Sequence, residues 1–238
     1  MIDAHPAATH VTAYDRLETN DVVVERLLAS GAHRNELIDY FGAAEYAELA
    51  VLARRAAGAA KRRGPRVYIL PGIMGSQLGR PRAHGLPHDI LWLDPVDIAI
   101  GRLREITLRP GTPVRAMGAI LFSFLKLKLR LAVAGFSPQL VDYDWRRSVI
   151  DLGREFAAHL AADGAAGAHV VAHSMGGLVA RAALALPGEA RIGRLVMLGT
   201  PNSGSFAPVQ ALRGTYAVVR KLATLDQLHS AETLASEV

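Results

Sequence analysis

The stretch AHVVAHSMGGLVARAAL, residues 168–184, carries the strongest signal for the fold. Within it, residues 169–172 (HVVA) form a short apolar segment that predicts a buried strand, and the residues from Met175 onward have apolar side chains at helical spacing. Ser174 lies at the turn between the two, with a small residue two positions away on each side. A strand, a tight turn carrying serine and a helix together predict a nucleophile elbow, which exposes the serine hydroxyl at the carboxyl end of a parallel strand.

The usual elbow pattern is Gly-x-Ser-x-Gly, and Ala172 stands here in place of the first glycine. Alanine is still small enough for the tight turn. The helix that follows directs its amino terminus at Ser174, where its field favours the negative charge that develops on an attacked ester carbonyl. An anion-binding helix start in an unrelated α/β sheet is the alternative interpretation, and the strand directly before the serine favours the elbow.

Other short apolar segments predict further strands of the same sheet. They are residues 67–70 (VYIL), 140–143 (LVDY) and 195–198 (LVML). Helical periodicity over residues 151–163 and 175–186 is typical of strand–helix–strand crossovers in a parallel sheet. These patterns predict the α/β class and, with the elbow, an α/β-hydrolase fold with a partial parallel sheet and flanking helices.

Residues 125–131, LKLKLRL, alternate strictly between apolar and basic side chains, which by itself predicts a half-exposed strand. The crossover between the strands at 67–70 and 140–143 instead needs a helix within residues 116–135, and we predict a helix here. The same basic residues interrupt the longest apolar stretch, residues 117–136, so this stretch does not predict a membrane span.

The amino-terminal part of the chain has a different character. Residues 20–60 are rich in Ala, Leu and Glu, with apolar residues three and four apart, which predicts helices. Residues 56–66, AAGAAKRRGPR, follow as an exposed basic connector that ends near Gly-Pro. We therefore expect a helical amino-terminal extension with its basic linker over residues 1–64. The α/β-hydrolase core, as an incomplete amino-terminal portion, would occupy residues 65–238.

The composition excludes several kinds of chemistry. The 238 residues contain no cysteine, which rules out disulfides, iron–sulfur clusters, thiolate metal sites and a cysteine nucleophile. No signal peptide, dinucleotide fingerprint, phosphate-binding loop or nucleic-acid module is visible. We therefore expect a cytoplasmic protein without a metal, a cofactor or a nucleic-acid partner. The sequence indicates no particular oligomeric state.

Basic residues are concentrated in the middle of the chain. Residues 61–130 carry a net charge of +9, against −4 for residues 1–60 and zero for residues 131–238. An anionic membrane surface is therefore a candidate partner, at which the protein would bind peripherally. The alternative is a general preference for arginine, which supplies 23 of the 27 basic residues.

Acyl transfer needs two backbone N–H donors that face the developing oxyanion. The residue after the nucleophile, Met175, is placed to provide one of them. The loop after the first strand, within YILPGIMGSQLG at residues 68–79, offers Ile73 as the second. Ile73 follows Gly72, and a residue without a side chain lets the backbone approach a ligand closely.

Four segments of the sequence point together to one family. They are LPGIMGSQL at residues 70–78, DYDWRRS at 142–148, AHSMGGLVAR at 172–181 and LGTPNSGS at 198–205. In this order they resemble the lecithin:cholesterol acyltransferase family of α/β hydrolases, and its bacterial members in particular. The resemblance implies an esterase, phospholipase or O-acyltransferase that acts on a lipid or other acyl ester. It also implies an acyl intermediate on Ser174, oxyanion positions at Ile73 and Met175, and water or a lipid alcohol as the acyl acceptor.

The residues Asp144, Trp145 and Arg146 belong to one of these segments and follow the predicted strand at 140–143. We expect Asp142 and Asp144, next to Trp145 and Arg146, to form a buried polar cluster near the end of that strand, close to the site. A catalytic role for Asp144 and Arg146 is a second hypothesis.

The acid and the base that a serine nucleophile needs are harder to place. After Ser174 the chain contains one histidine, His229, and no Asp or Glu lies between Glu189 and Asp226. The resemblance implies an acid and a histidine on loops after two further strands, but nothing after Leu198 predicts a strand. Asp226 and His229 would share a helix face if their segment is helical, which makes them the remaining candidates. Ordinary helix-surface residues are the alternative.

Two gaps remain in the predicted enzyme. One is the acid and base, and the other is the apolar strand at 195–198, which would be left as an uncovered sheet edge. Truncation of a longer enzyme would account for both. The competing hypothesis is a non-catalytic binding protein that retains the α/β-hydrolase scaffold.

Overall fold

The computed structural model describes residues 20–59, 64–82, 86–164, 167–186 and 192–237. The helices are α1 Asp21–Ser30, α2 Arg34–Phe41, α3 Ala43–Ala59, α4 Pro95–Ala99, α5 Leu121–Val133, α6 Val149–Ala162, α7 Met175–Ala185, α8 Ala207–Leu212, α9 Ala217–Leu225 and α10 Ala231–Glu237. The strands are β1 Arg66–Leu70, β2 Ser76–Arg80, β3 Asp89–Trp92, β4 Arg115–Ala119, β5 Ser137–Leu140, β6 Ala168–His173 and β7 Ile192–Leu198. A 3₁₀ helix covers Arg102–Ile106.

A four-stranded parallel sheet in the order β5-β1-β6-β7 forms the α/β core. The central strand β1 is buried from Val67 to Leu70. Helix α6 packs the ring of Phe156 against Tyr68, edge to face, with 6.1 Å between the ring centroids. The predicted α/β class, with a parallel sheet flanked by helices and helices at the amino-terminal end, is confirmed.

Contacts divide the described residues into two units. The first unit contains residues 77–117 and 204–237, and the second contains residues 20–76 and 118–203. The second unit therefore holds the whole parallel sheet together with α1–α3 and α5–α7. The predicted division into an extension over residues 1–64 and a core from residue 65 stays a prediction. The centre of the predicted basic linker, residues 60–63, lies outside the described residues.

Helices α1–α3 and α5 show how the alternating segment LKLKLRL is accommodated. Residues 125–131 lie within α5, so the predicted helix is confirmed. Lys128 is buried and its Nζ lies 2.6 Å from Asp21 Oδ2 of α1, while Lys126 Nζ lies 2.7 Å from Glu45 Oε2 of α3. Carboxylates of the amino-terminal helices thus take the place of water around these lysines. Across the described ranges, no helix has both the length and the apolar composition needed to cross a membrane.

One predicted strand lies elsewhere. The strand expected at residues 140–143 is β5, Ser137–Leu140, so the two segments share only Leu140. Val141 still donates from its backbone N to Ile69 O at 3.0 Å. The chain then leaves the sheet, because the backbone N of Tyr143 donates to Ser76 Oγ at 3.1 Å instead of to a neighbouring strand.

A three-stranded sheet in the order β3-β2-β4, which lies mostly in the first unit, was not predicted from the sequence. Strand β2 is SQLGR and β4 is RAMGA, and neither contains a β-branched or aromatic residue. In β3, Asp89 is fully buried and accepts from three arginines: Arg80 at 2.8 Å, Arg82 at 2.9 Å and Arg102 at 2.8 Å. After β7 the described chain continues as α8–α10.

Strand β7 forms one edge of the parallel sheet. Its apolar side chains are open to solvent, with Val196 48%, Met197 39% and Leu198 43% exposed. In the part of the chain that the structure describes, β6 is the strand that pairs with it. The expected uncovered apolar edge at residues 195–198 is therefore confirmed.

Candidate active site

Ser174 occupies the turn between β6 and α7, and its backbone has φ 51° and ψ −120°. This conformation is strained for any residue with a side chain, and it is tolerated where the surrounding structure holds it. Here the backbone N of Ser174 donates to Leu198 O of β7 at 2.8 Å. The strand–turn–helix geometry of a nucleophile elbow is thus present at residues 168–184, and the chemical role of Ser174 stays a prediction.

Glycines allow neighbouring backbone to crowd around this turn. A Cβ on Gly176 would overlap Pro71 O, and one on Gly177 would overlap the hydroxyl of Thr200. Ala172, which replaces the first glycine of the usual pattern, is fully buried. The small residues around Ser174 therefore reflect the close passage of β1 and of the chain after β7.

The segment from Pro71 to Ser76, called the oxyanion loop below, turns sharply beside Ser174. Gly75 N donates to Gly72 O at 3.0 Å, and Met74 has φ 62°, as in a type II turn. The N–H and C=O groups of a trans peptide point in opposite directions. Because the Gly72 carbonyl points into the turn, the Ile73 N–H points out of it.

Gly72 brings this loop into contact with the elbow. An ideal Cβ on Gly72 would lie 2.9 Å from Ser174 Cβ. Met175, on the other side of the serine, is the first residue of α7, so its N–H has no acceptor within the helix. The structure therefore brings Gly72, Ser174 and Met175 together, with Ile73 next to Gly72. The oxyanion role of Ile73 and Met175 stays a prediction.

The DYDWRRS segment contacts the oxyanion loop through hydrogen bonds. The Arg146 Nε donates to Asp144 Oδ1 at 2.7 Å, and both side chains are largely buried. Trp145 Nε1 donates to Ser76 O at 2.9 Å. The expected buried polar cluster is thus present at Asp144 and Arg146, whereas Asp142 is exposed and lies outside it. A residue that the sequence analysis did not single out, Tyr143, donates from its hydroxyl to Pro71 O at 2.5 Å.

His173 directly precedes Ser174 and is the last residue of β6. Its side chain is exposed, as the alternating burial along β6 implies. A Cβ on Gly72 would lie 2.9 Å from Nδ1 of His173, so the imidazole packs against the oxyanion loop. Its ring centroid is 6.1 Å from that of Phe124 in α5. Within the described residues, no group of three or more His, Asp or Glu side chains is placed to hold a metal ion.

Asp226 and His229 lie in the first unit and form a pair. His229 Nδ1 is 2.9 Å from Asp226 Oδ2, and the backbone N atoms of Leu228 and His229 donate to Asp226 Oδ1 at 2.8 and 2.9 Å. Burial opposes ionisation of this carboxyl, but these donors outweigh it and hold the pKa of Asp226 below its usual range. The segment of the pair is not helical, because α9 ends at Leu225, and the two residues meet across a turn instead of on a shared helix face.

The second ring nitrogen of His229 is also in contact with a polar group. Its Nε2 lies 3.3 Å from Arg104 Nη1. With the proton on Nδ1 and donated to Asp226, the lone pair on Nε2 accepts from the guanidinium. A carboxylate on Nδ1 is the arrangement that orients a histidine base. In this conformation, however, the basic nitrogen is occupied within the first unit, and the catalytic role of both residues stays a prediction.

Comparison with known families agrees with this geometry at the level of fold. Residues 163–236 match the model of a PGAP1-like alpha/beta domain. The matched segment includes β6, Ser174, α7 and β7, and it continues through α9 into α10. No curated protein and no solved structure shows significant similarity to the chain. Over these residues the match supports an α/β-hydrolase-type domain of the lipase- and esterase-like, lipid-related kind, and the finer resemblance to the lecithin:cholesterol acyltransferase family stays a prediction.

Proposed function

We propose that this protein is a serine-dependent lipid ester hydrolase or O-acyltransferase that works through an acyl intermediate on Ser174. The observation that carries the proposal is the backbone of Ser174, with φ 51° and ψ −120° between a parallel strand and a helix. A residue keeps such a strained conformation only where the surrounding structure holds it. Strained residues of this kind are common at catalytic turns. The match to a PGAP1-like domain over the same residues supports a lipid ester as the substrate class.

In the first step, Ser174 Oγ attacks the carbonyl carbon of the ester and gives up its proton to a base. The tetrahedral oxyanion is stabilised by the N–H groups of Ile73 and Met175. As the intermediate collapses, the bond to the alcohol oxygen breaks, and the alcohol leaves with the proton that the base returns. Each oxyanion donor is typically worth about 3 kcal/mol of transition-state stabilisation.

In the second step, water or a lipid alcohol attacks the acyl-Ser174 ester. The new C–O bond forms, the bond to Ser174 Oγ breaks, and the serine recovers its proton. Hydrolysis and acyl transfer differ only in this acceptor. The side chain of Ile73 is 51% exposed in the oxyanion loop, which leaves an apolar surface for an acyl chain beside the serine.

His229, held by Asp226, is the candidate base. It is the one histidine after Ser174 in the sequence, and its Nδ1 already rests on a carboxylate 2.9 Å away. To act as a base, its Nε2 must first be released from the contact with Arg104. A non-catalytic binding protein that retains the scaffold is the second candidate function, and this occupied Nε2 is the observation that favours it.

The test is covalent labelling with a fluorophosphonate, followed by peptide mass spectrometry. Wild type and Ser123→Ala should be labelled, and Ser174→Ala should not, because Ser123 is an exposed helix residue and Ser174 is the proposed nucleophile. His229→Ala should slow labelling if it is the base. A folded wild-type protein without label on Ser174 would contradict the enzyme and favour the binding protein.

Hydrolysis and transfer are separated by the product. Incubation with a phospholipid and a long-chain alcohol should yield free fatty acid from a hydrolase and a new alkyl ester from a transferase. Neither product should form with Ser174→Ala. A product that persists in that variant would show that Ser174 is not the nucleophile.

A further inference from the structure

The oxyanion loop must be held in place to be useful. Donors that stabilise an oxyanion work only when they are fixed within about 0.5 Å of the productive position. The loop contains two glycines and a residue at positive φ, so its own backbone preferences do not fix it. Besides the turn bond from Gly75 N to Gly72 O, the N–H of Ile120 donates to Gly75 O at 2.9 Å. The two ends of the loop need further support.

The first end is held by Tyr143. Its hydroxyl donates to Pro71 O at 2.5 Å, and the tyrosine is 8% exposed. The same carbonyl faces Gly176 in the first turn of α7, where a side chain would overlap it. The peptide plane between Pro71 and Gly72 is therefore fixed from two sides, and with it the backbone that leads to Ile73.

The second end is held at Ser76, which is fully buried. Its hydroxyl oxygen accepts from the backbone N of Tyr143 at 3.1 Å, and its carbonyl accepts from Trp145 Nε1 at 2.9 Å. The paired side chains of Asp144 and Arg146 keep the intervening backbone in a closed turn. One three-residue stretch thus binds the oxyanion loop at both ends.

We propose that Tyr143 and Trp145 are positioning residues that hold the oxyanion loop against Ser174. This proposal rests on the proposed function and deepens it. The two residues do not touch the reacting atoms; they act through the direction of the Ile73 N–H. Burial raises the pKa of Tyr143, so its phenol keeps the donated proton over the working pH range.

The matched variants are Tyr143→Phe and Tyr68→Phe. Each removes one hydroxyl from a buried tyrosine of the second unit, but the Tyr68 hydroxyl donates to Asp163 and has no contact with the oxyanion loop. Trp145→Phe removes the indole N–H at the other end and keeps an aromatic ring. All three should lose some stability, because each removes a hydrogen-bond donor.

Two measurements separate positioning from general stability. Hydrogen exchange by mass spectrometry should be faster over residues 71–76 in Tyr143→Phe and Trp145→Phe, and unchanged there in Tyr68→Phe. Fluorophosphonate labelling of Ser174 should have a maximal rate about 10-fold lower in the first two variants, with unchanged affinity for the probe, because the loss affects the transition state. Tyr68→Phe should be labelled at the wild-type rate.

The proposal is overturned if Tyr143→Phe shows wild-type exchange over residues 71–76, or if it labels no more slowly than Tyr68→Phe. The exchange measurement needs no activity, so it reports on the loop even in an inactive protein. Absence of label on wild-type Ser174 contradicts the proposed function, and with it the catalytic use of the loop. Faster exchange with an unchanged labelling rate would show a purely structural role and would also overturn the proposal.

Discussion

The backbone of Gly72 runs so close to Ser174 that a Cβ on residue 72 would lie 2.9 Å from Ser174 Cβ. The backbone of Gly72 does not have positive φ, so alanine could adopt its conformation. What excludes a side chain is the space between the oxyanion loop and the elbow. The glycine therefore sets the distance between the serine and the N–H of the next residue.

Gly72→Ala should push the oxyanion loop away from Ser174 and lower the rate of Ser174 labelling about 100-fold, the usual cost of losing one oxyanion donor. Its melting temperature should fall, because the loop is held at both ends and cannot relieve the overlap with Ser174 without disturbing those contacts. Gly58→Ala is the control, since Gly58 lies in α3 with open space around its Cα. Labelling of Gly72→Ala at the wild-type rate would show that the oxyanion loop does not contribute to the reaction of Ser174.

Ser174→Gly should be inactive and more stable than Ser174→Ala. Alanine keeps the strain of φ 51°, which costs about 1–3 kcal/mol, whereas glycine adopts this conformation freely. Glycine loses roughly 0.5–1 kcal/mol through its greater chain entropy, so a net gain of about 1 kcal/mol is expected. Thermal unfolding of the two variants measures the difference, and equal melting temperatures would show that the turn is not strained.

Asp89→Asn should destabilise the protein strongly near pH 7 and less at low pH. Burial opposes ionisation of Asp89, but Arg102, Arg80 and Arg82 outweigh it and keep its pKa below the usual range. A carboxyl whose pKa is lower in the folded state stabilises above the unfolded pKa of about 4, and this contribution is lost as the pH falls.

At pH 7 the loss in Asp89→Asn should be about 3–5 kcal/mol, because it leaves buried arginine charge without its carboxylate. The control is Asp151→Asn, which breaks an exposed pair with Arg154 and should cost under about 1 kcal/mol. Urea unfolding at pH 7 and pH 3 measures both variants. A difference between wild type and Asp89→Asn that grows toward pH 3 would contradict the lowered pKa.

Val196→Lys should reduce aggregation at the uncovered edge of the sheet. Val196 is 48% exposed on β7, and a lysine on an edge strand hinders pairing with another chain. Ile150→Lys is the matched control, because Ile150 is also 48% exposed but lies on helix α6. Light scattering during heating should fall in Val196→Lys and change little in Ile150→Lys. Equal effects would indicate general charge repulsion.

The elements around the elbow could be predicted because their signals are local. Strand β6, the serine turn and α7 follow one another within 18 residues, and each shows its own periodicity or small-residue pattern. Helix α5 was harder to predict, because the apolar and basic residues of LKLKLRL alternate with the period of a strand. Its prediction depended on the need for a helical crossover between two parallel strands. Its lysines form ion pairs with Asp21 and Glu45, which lie about 80 or more positions away in the chain.

Pairings between distant segments could not be predicted in this way. Strand β2 contains Gly79 and no β-branched residue, yet it pairs with β3, where a side chain at residue 79 would overlap Asp89 O. Tyr143 was expected to end a strand, and instead it binds Pro71 and Ser76 from another part of the chain. Asp226 and His229 meet across a turn that no helical pattern describes.

Periodicity and small residues in the sequence were thus sufficient for the α/β class, for Ser174 in its turn and for the apolar edge at β7, because each depends on neighbours within a few positions. The strain at Ser174, the hold of Tyr143 on the oxyanion loop and the contact of His229 with Arg104 depend on the folded chain. They arise from hydrogen bonds and close packing between segments far apart in sequence, and a linear pattern carries no information about which distant donor meets which acceptor.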